Sequence, residues 1–179
     1  MKEPSVFHLI GEITHQKDVS CVLIGGFAVN HYRVSRSTAD IDFLITKEDF
    51  EKILDSLKKA GYKESFSQEN FAQLESTQLA LRDVDFMFVD RSTLDKILSE
   101  AGSLTIVGQK FLVPSLNHLI ALKLHAIKNH ESNRLMKDLP DIIGLIKNNG
   151  IDIKNEDFKN LCLKFGTEKI YQRIQEAIK

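Results

Sequence analysis

A pair of glycines after a short apolar run constrains the fold of this chain more than any other feature. The run from Cys21 to Ile24 is apolar and partly β-branched, which is typical of a buried strand, and Gly25 and Gly26 follow it directly. Glycine adopts backbone conformations that other residues avoid, so the chain can turn here and a helix can begin at once. Such a helix start points free N–H groups and the positive dipole end outward, an arrangement suited to a phosphate.

Two aspartates lie on the next predicted strand. Alternation places Ile41, Phe43 and Ile45 on one face of that strand and Asp40 and Asp42 together on the other. Carboxylates this close repel each other, and a divalent cation relieves the repulsion while it aligns phosphate oxygens. Each element alone has an ordinary explanation, as a turn or as solvated charge. Together they predict a Mg²⁺ nucleotide site.

A second acidic strand follows later in the chain. Between residues 82 and 89, Val84 and Phe86 belong to an apolar face, and Asp83 and Asp85 belong to the opposite face. Asp83 is nearer the start of the strand, so we expect it to be solvated. The sequence therefore predicts a third carboxylate on a core strand, with Asp85 as the preferred candidate.

Composition limits the class of protein. The 179 residues are enough for one domain, or for a domain with a helical appendage. The formal net charge of −1 excludes a globally basic surface for nucleic acid, so any such contact must be local. Cys21 and Cys162 show no metal-binding spacing, and we expect reduced thiols, although a disulfide between them stays open.

The sequence also carries an expectation about location. No apolar run reaches the length that spans a membrane, and the N-terminal residues Met1-Lys2-Glu3-Pro4 lack the apolar segment of a signal peptide. We therefore expect a cytoplasmic protein without membrane association.

The order of the patterns predicts an α+β fold. Residues 1–113 alternate between helix and strand patterns. Helices are predicted over Lys47–Ala60, with Thr46 as the cap, and over Thr93–Ala101. Two or three strands are predicted between Tyr62 and Leu81, the last being Gln78–Leu81, and a hairpin turned at Gly108 follows. After Pro114 every pattern is helical. We expect a core of residues 1–113, with a mixed β-sheet flanked by helices, and a C-terminal helical subdomain of residues 114–179.

A lysine interrupts the apolar side of the first helix after this boundary. On the helix from Ser115 to Asn129, Lys123 lies in the middle of the apolar arc. Its stem could pack while its ammonium group reaches water. Alternatively, it could reach the phosphates of a nucleotide. Lys123 could also join Lys128, Arg134 and Lys137 in a local basic lip for an RNA acceptor.

These residues together resemble a known signature. The strand ending in Gly25-Gly26, followed by Arg36-x-Thr38-x-Asp40-Ile41-Asp42-Phe43, resembles the nucleotidyltransferase superfamily related to DNA polymerase β. It is most similar to the AbiEii-type toxin and aminoglycoside-nucleotidyltransferase-like branches. The resemblance implies transfer of a nucleoside monophosphate from an NTP to a hydroxyl group, with two Mg²⁺ ions held by Asp40, Asp42 and the third acidic residue, Asp85.

The resemblance also implies roles for other residues. Gly25 and Gly26 would hold the phosphates, Arg36 and Thr38 belong to the signature near the nucleotide, and Lys123 lies in a setting similar to a lysine of the AbiEii-type toxins. Residues 134–141 resemble that branch's Arg-x-x-Lys-Asp-x-x-Asp segment, which makes Asp138 a nucleotide-binding candidate. Because Pro140 is best tolerated in a first turn, a helix starting near Asp138 with that residue as its cap stays open. We expect Asp141 to face solvent.

Two classes of function remain. The first is the Mg²⁺-dependent enzyme, with a small molecule such as an aminoglycoside, a tRNA end or a protein hydroxyl as acceptor, and with an antitoxin as a partner if the toxin-like branch applies. The second is a non-catalytic nucleotide-binding or protein-binding module of the same fold. The sequence does not decide the base of the NTP, the acceptor or the oligomeric state.

Overall fold

A computed structural model of the protein describes residues 5–78 and 81–179. The N-terminal residues Met1–Pro4 and part of the predicted strand Gln78–Leu81 lie outside the described residues. The helices are α1 (Val6–Gln16), α2 (Gly25–His31), α3 (Lys47–Lys59), α4 (Arg91–Ser99), α5 (Leu116–Asn129), α6 (Glu131–Asn149), α7 (Glu156–Phe165) and α8 (Glu168–Ile178). The strands are β1 (Val22–Leu23), β2 (Ile41–Ile45), β3 (Tyr62–Gln68), β4 (Phe71–Ser76), β5 (Val84–Phe88), β6 (Gly102–Ile106) and β7 (Gln109–Val113).

The strands form one mixed sheet in the order β3-β4-β5-β2-β1-β7-β6. β2 pairs with β5 in parallel and with β1 in antiparallel orientation, and β1 pairs with β7 in parallel. The outer hairpins β3–β4 and β6–β7 are antiparallel. The predicted α+β fold with a mixed sheet and helices is confirmed, and β2 and β5 lie side by side near its centre.

Apolar alternation on the central strands explains this arrangement. Ile41 and Phe43 of β2 and Phe86 of β5 have no exposed surface, and the Phe43 and Phe86 rings stack with centroids 5.8 Å apart. These side chains join one hydrophobic core with α1 and α3. A one-residue slip of either strand would move its apolar set to the other face, so the core sets the register of both strands.

The chain divides into two compact units. The first contains residues 1–28 and 37–114, within which the sheet lies, and the second contains residues 29–36 and 115–179. In the second unit α5 packs against α6 and α7, and α8 packs against α6 and α7. Its buried apolar side chains are Val29, Leu119, Ile120, Ala121, Leu124, Ile127, Ile142, Leu145, Ile146, Phe158, Cys162, Ile170, Tyr171 and Ile174.

Helix α6 differs from its prediction because it begins at Glu131 and runs through Pro140. A start near Asp138, with that residue as the cap, is therefore wrong. Proline at position 140 removes the amide donor for the carbonyl of Met136. Met136 is 84% exposed, so water can hydrogen-bond to this carbonyl and the helix continues. The helix ends at Gly150, whose φ of +65° is the left-handed conformation that glycine adopts readily.

Side-chain caps set several other boundaries. The Thr46 hydroxyl accepts a hydrogen bond from the backbone N–H of Asp49, as expected at the start of α3. Asp90 caps α4 in the same way, so this helix begins at Arg91, two residues before its predicted start at Thr93. No helix in residues 5–78 and 81–179 is both long and apolar enough to cross a membrane.

Candidate functional site

Two of the predicted site residues are direct neighbours in the sheet. Asp42 of β2 and Asp85 of β5 are register partners on adjacent parallel strands. Neighbouring strands lie about 4.8 Å apart, and register partners point to the same face. That face is opposite the buried side chains of Ile41 and Phe86. The structure therefore brings together two carboxylates that are 43 positions apart in the sequence.

The charge of Asp40 belongs to the same cluster. The pKa of Asp85 is raised to about 6, chiefly by burial and next by the negative charge of Asp42, with smaller contributions from Asp40 and Asp83 in the same direction. A side-chain hydrogen bond from Gln73 opposes these effects. Asp40 and Asp42 therefore lie close enough to Asp85 for their negative charges to act on its carboxyl group.

Asp83 has a different role from Asp85. Its side chain is exposed, and its Oδ1 accepts a hydrogen bond of 2.9 Å from the backbone N–H of Ser76, at the end of β4. Asp83 therefore satisfies a backbone donor at the edge of the strand pair, whereas Asp85 is half-buried beside Asp42.

Gly25 and Gly26, at the start of α2, form a glycine corner that lies against Asp42 and Thr38. Gly25 has a φ of +63°, and a β-carbon on it would lie 1.9 Å from Oδ2 of Asp42. A β-carbon on Gly26 would lie 2.5 Å from Oγ1 of Thr38, whose hydroxyl donates a 3.1 Å hydrogen bond to the carbonyl of Asp40. Gly26 is buried and Gly25 is half-buried. Both positions therefore need glycine because the side chains of the Thr38–Asp42 segment occupy the adjacent space.

The donor set fits a hard divalent cation in its chemistry. Carboxylate oxygens are the ligands that Mg²⁺ prefers, and a cation would relieve the repulsion that raises the pKa of Asp85. Among the residues that the structure describes, no three His, Cys, Asp or Glu side chains converge closely enough to enclose a metal ion. A bound ion would therefore need the carboxylates of Asp40, Asp42 and Asp85 to rotate toward one another.

Lys123 lies in a buried ion network inside the second unit. Its Nζ atom is 2.8 Å from Oδ1 of Asp138 and 2.7 Å from Oδ2 of Asp141, and the residue is only 7% exposed. The Arg36 guanidinium pairs with the same Oδ2 of Asp141. The expectation of a solvent-facing Asp141 is wrong, since it is 5% exposed on the face of α6 that buries Ile142.

This network balances two cations with two carboxylates. Since Lys123 is buried, its predicted place in an exposed basic lip is wrong. Oδ2 of Asp138 has no hydrogen-bond partner in the described structure, and Nη1 of Arg134 lies 4.0 Å from it. The contacts of Arg36, Lys123 and Asp138 explain why charged groups are buried here. Their roles toward a nucleotide stay predictions.

The sequence did not indicate how α6 binds the segment that ends at Arg36. Within the second unit, the side-chain amide of Asn149 donates to the carbonyl of Tyr32 at 2.9 Å, and that of Asn148 donates to the carbonyl of Arg33 at 2.7 Å. One helical turn earlier, a β-carbon on Gly144 would lie 2.9 Å from Cγ1 of Val34. Two adjacent asparagines near the end of a helix are the only sequence signal of this contact.

Comparisons with known proteins agree with the fold. The model of a family described as uncharacterised nucleotidyltransferase matches residues 10–176. Among curated proteins, none is matched by this sequence.

Three solved structures illustrate the similarity. The crystal structure of ANT(2'')-Ia in complex with adenylyl-2''-tobramycin is 14% identical with a TM-score of 0.66, over 89% of this chain and 94% of that chain. The lincosamide antibiotic adenylyltransferase LnuA, bound to lincomycin, is 17% identical with a TM-score of 0.55, over 76% of this chain and 91% of that chain. An antigenic nucleotidyltransferase-like protein from Paracoccidioides brasiliensis is 18% identical with a TM-score of 0.54, over 77% of this chain and 72% of that chain. At these identities the likeness concerns the fold alone.

Proposed function

Because this chain belongs to the nucleotidyltransferase family whose model it matches, we propose that it transfers a nucleoside monophosphate from an NTP to an acceptor hydroxyl group. One observation carries the proposal: Asp42 and Asp85 are register partners beside the glycine corner at Gly25. A sheet stabilised only by packing does not require two neighbouring carboxylates, since like charges directly opposite each other are destabilising.

Each carboxylate has a proposed role. Asp40, Asp42 and Asp85 would hold the Mg²⁺ ions, which when bound supply positive charge that neutralises the triphosphate. Asp85 would also accept the proton of the acceptor hydroxyl.

The reaction exchanges one phosphorus–oxygen bond for another. The acceptor oxygen forms a bond to the α-phosphorus of the NTP, and the bond from that phosphorus to the oxygen bridging the β-phosphate breaks. Pyrophosphate leaves with this bridging oxygen, and the hydroxyl proton passes to Asp85. We propose that the segment around Gly25, Gly26 and Thr38 lies next to the triphosphate, because the backbone there turns tightly against Asp42.

The acceptor has to be identified by testing candidate molecules. Tobramycin and lincomycin, the antibiotics named with the structural neighbours, are the first small molecules to test. A tRNA end and a protein hydroxyl are the macromolecular alternatives. A toxin-like role with an antitoxin partner stays a prediction from the AbiEii resemblance.

The direct test is transfer of an α-phosphate label from ATP, CTP, GTP and UTP, each with Mg²⁺, to these acceptors and to tRNA and protein pools. Asp42→Asn should abolish transfer with the fold intact. Asp83→Asn is the matched control, because it removes an exposed charge next to β5 while an asparagine oxygen can still accept from Ser76. Wild-type transfer by Asp42→Asn would disprove the proposed function.

A non-catalytic module is the alternative outcome. Calorimetry with each NTP, with and without Mg²⁺, combined with the transfer assay, distinguishes the module from the enzyme. Tight Mg²⁺-dependent binding without transfer to any acceptor would favour the module over the enzyme.

A further inference from the structure

Gln73 completes a row of three polar residues across the sheet. It lies on β4 as the register partner of Asp85, and Asp85 is in turn the register partner of Asp42. Register partners point to the same face, so Gln73, Asp85 and Asp42 follow one another on the face opposite the core. Gln73 is the one neutral member of this row and the one that can donate a hydrogen bond.

Packing fixes the position of Gln73. Its neighbours Ala72 and Leu74 have no exposed surface and belong to the hydrophobic core, whereas Gln73 is half-buried. A slip of β4 by one residue would expose both apolar side chains and bury the amide. The Gln73 side chain is therefore held beside Asp85 by the same core that sets the strand register.

An irregularity in β3 lies directly beside this position. The pairing of β3 with β4 shifts between Glu64 and Phe66, and Phe66 is the register partner of Gln73. The hydroxyl of Ser65, the extra residue, donates a 3.3 Å hydrogen bond to the backbone carbonyl of Gln73. The bulge therefore adds a hydrogen bond that helps to hold the backbone of Gln73 in place.

We propose that Gln73 is a positioning residue that holds the Asp85 carboxylate for a divalent cation, an inference that rests on the proposed function. As the register partner of Asp85, Gln73 places a side-chain amide that can donate to this carboxylate without adding a fourth negative charge. Carboxylates that bind metals are themselves held by hydrogen bonds, and loss of such a partner typically lowers metal affinity 10- to 100-fold.

Mn²⁺ is a suitable probe because it takes the same oxygen ligands as Mg²⁺. The dissociation constant is measured by electron paramagnetic resonance of the free ion for the wild type and for Gln73→Met, which keeps the length of the side chain but has no amide. Gln68→Met, an exposed position at the end of β3, is the matched control. Unfolding temperatures are measured for all three proteins without metal.

We expect the dissociation constant of Gln73→Met to rise about tenfold, with an unchanged unfolding temperature and an unchanged control. Wild-type Mn²⁺ affinity in Gln73→Met would overturn the inference, and so would a loss of affinity that merely accompanies a lower unfolding temperature. Wild-type protein that binds Mn²⁺ but transfers no nucleotide would overturn the proposed function alone. Absence of Mn²⁺ binding in the wild type would overturn both.

Discussion

The Asp42 carboxylate lies so close to the backbone of Gly25 that a β-carbon there would come within 1.9 Å of its Oδ2 atom. The first residue of α2 therefore has to be glycine, because the Asp42 side chain of β2 fills the space that a β-carbon would need. The positive φ of Gly25 adds a second requirement for glycine, since other residues are strained in that conformation. The geometry of the turn and the position of the carboxylate cannot change independently.

Substitution of Gly25 by alanine should therefore disturb the candidate site as well as the backbone. We expect Gly25→Ala to lose more stability than backbone strain alone explains, and to lose Mg²⁺-dependent nucleotide binding, because the new methyl group displaces Asp42. Urea unfolding and calorimetry measure the two effects.

Gly150→Ala is the control for strain. Gly150 has a nearly identical φ of +65°, and no atom lies within 4 Å of the place where its β-carbon would be. It should lose only about 1–2 kcal/mol and keep nucleotide binding. Equal losses in the two variants would show that the contact with Asp42 is unimportant.

The raised pKa of Asp85 predicts a pH-dependent cost to stability. The folded protein holds the Asp85 proton up to about pH 6, whereas the unfolded chain releases it near the ordinary aspartate pKa of 3.8. Between these values the folded state binds more protons, so this group's contribution to stability falls as the pH rises. Without metal, Asp85→Asn should be more stable than the wild type above about pH 6, with the difference disappearing below about pH 4.

Unfolding temperatures in metal-free buffers from pH 4 to 8 measure this difference. Asp55→Asn, on the exposed side of α3, serves as the comparison. A gain in the stability of Asp85→Asn that is the same at every pH would contradict the electrostatic explanation.

Removal of Lys123 should destabilise the second unit strongly. Lys123→Met leaves the buried carboxylates of Asp138 and Asp141 without the cation between them, and breaking a buried ion pair typically costs about 3–5 kcal/mol. Lys128→Met changes an exposed lysine on the same helix and should remain within about 0.5 kcal/mol of the wild type. Denaturant unfolding distinguishes the two.

The same variants bear on the predicted nucleotide role of Lys123. Nucleotide affinity is compared at a temperature where Lys123→Met is fully folded. A loss of affinity in the folded variant would support contact with the phosphates. Undiminished affinity would leave Lys123 with the structural role that its ion pairs already explain.

The close approach of Gly144 to Val34 predicts that Gly144→Ala changes the free energy of unfolding in a direction that depends on the residue at position 34. A β-carbon on Gly144 would lie 2.9 Å from Cγ1 of Val34, a stiff β-branched side chain. Gly144→Ala should therefore destabilise the protein by about 1–3 kcal/mol through overpacking. In a Val34→Ala background the clash is absent, and the same change should stabilise by up to about 1 kcal/mol through its helix propensity.

A double-mutant cycle by urea unfolding measures this coupling. Independent sites would give additive changes in the free energy of unfolding, within about 0.5 kcal/mol. Additivity would mean that α6 tolerates the new methyl group without contact with Val34.

Local chemistry explains which predictions succeeded. The glycine pair, the apolar alternation of β2 and β5 and the cap at Thr46 each act over a few residues, so the printed sequence contains their causes. The same short-range logic placed the hairpin turn at Val107-Gly108 and the helix after Ser115. Where a boundary was missed, as at Asp90, a local cap was present but was not used.

The sequence by itself determined the mixed α+β class and the candidate acidic residues Asp40, Asp42 and Asp85, because periodicity decides which face of a strand a side chain occupies. Only the tertiary structure decided that Gln73 lies beside Asp85 and that Asp141 is buried between Lys123 and Arg36. Strand register and ion pairing between distant segments depend on how whole elements pack, and this information is not contained in any single stretch of the chain.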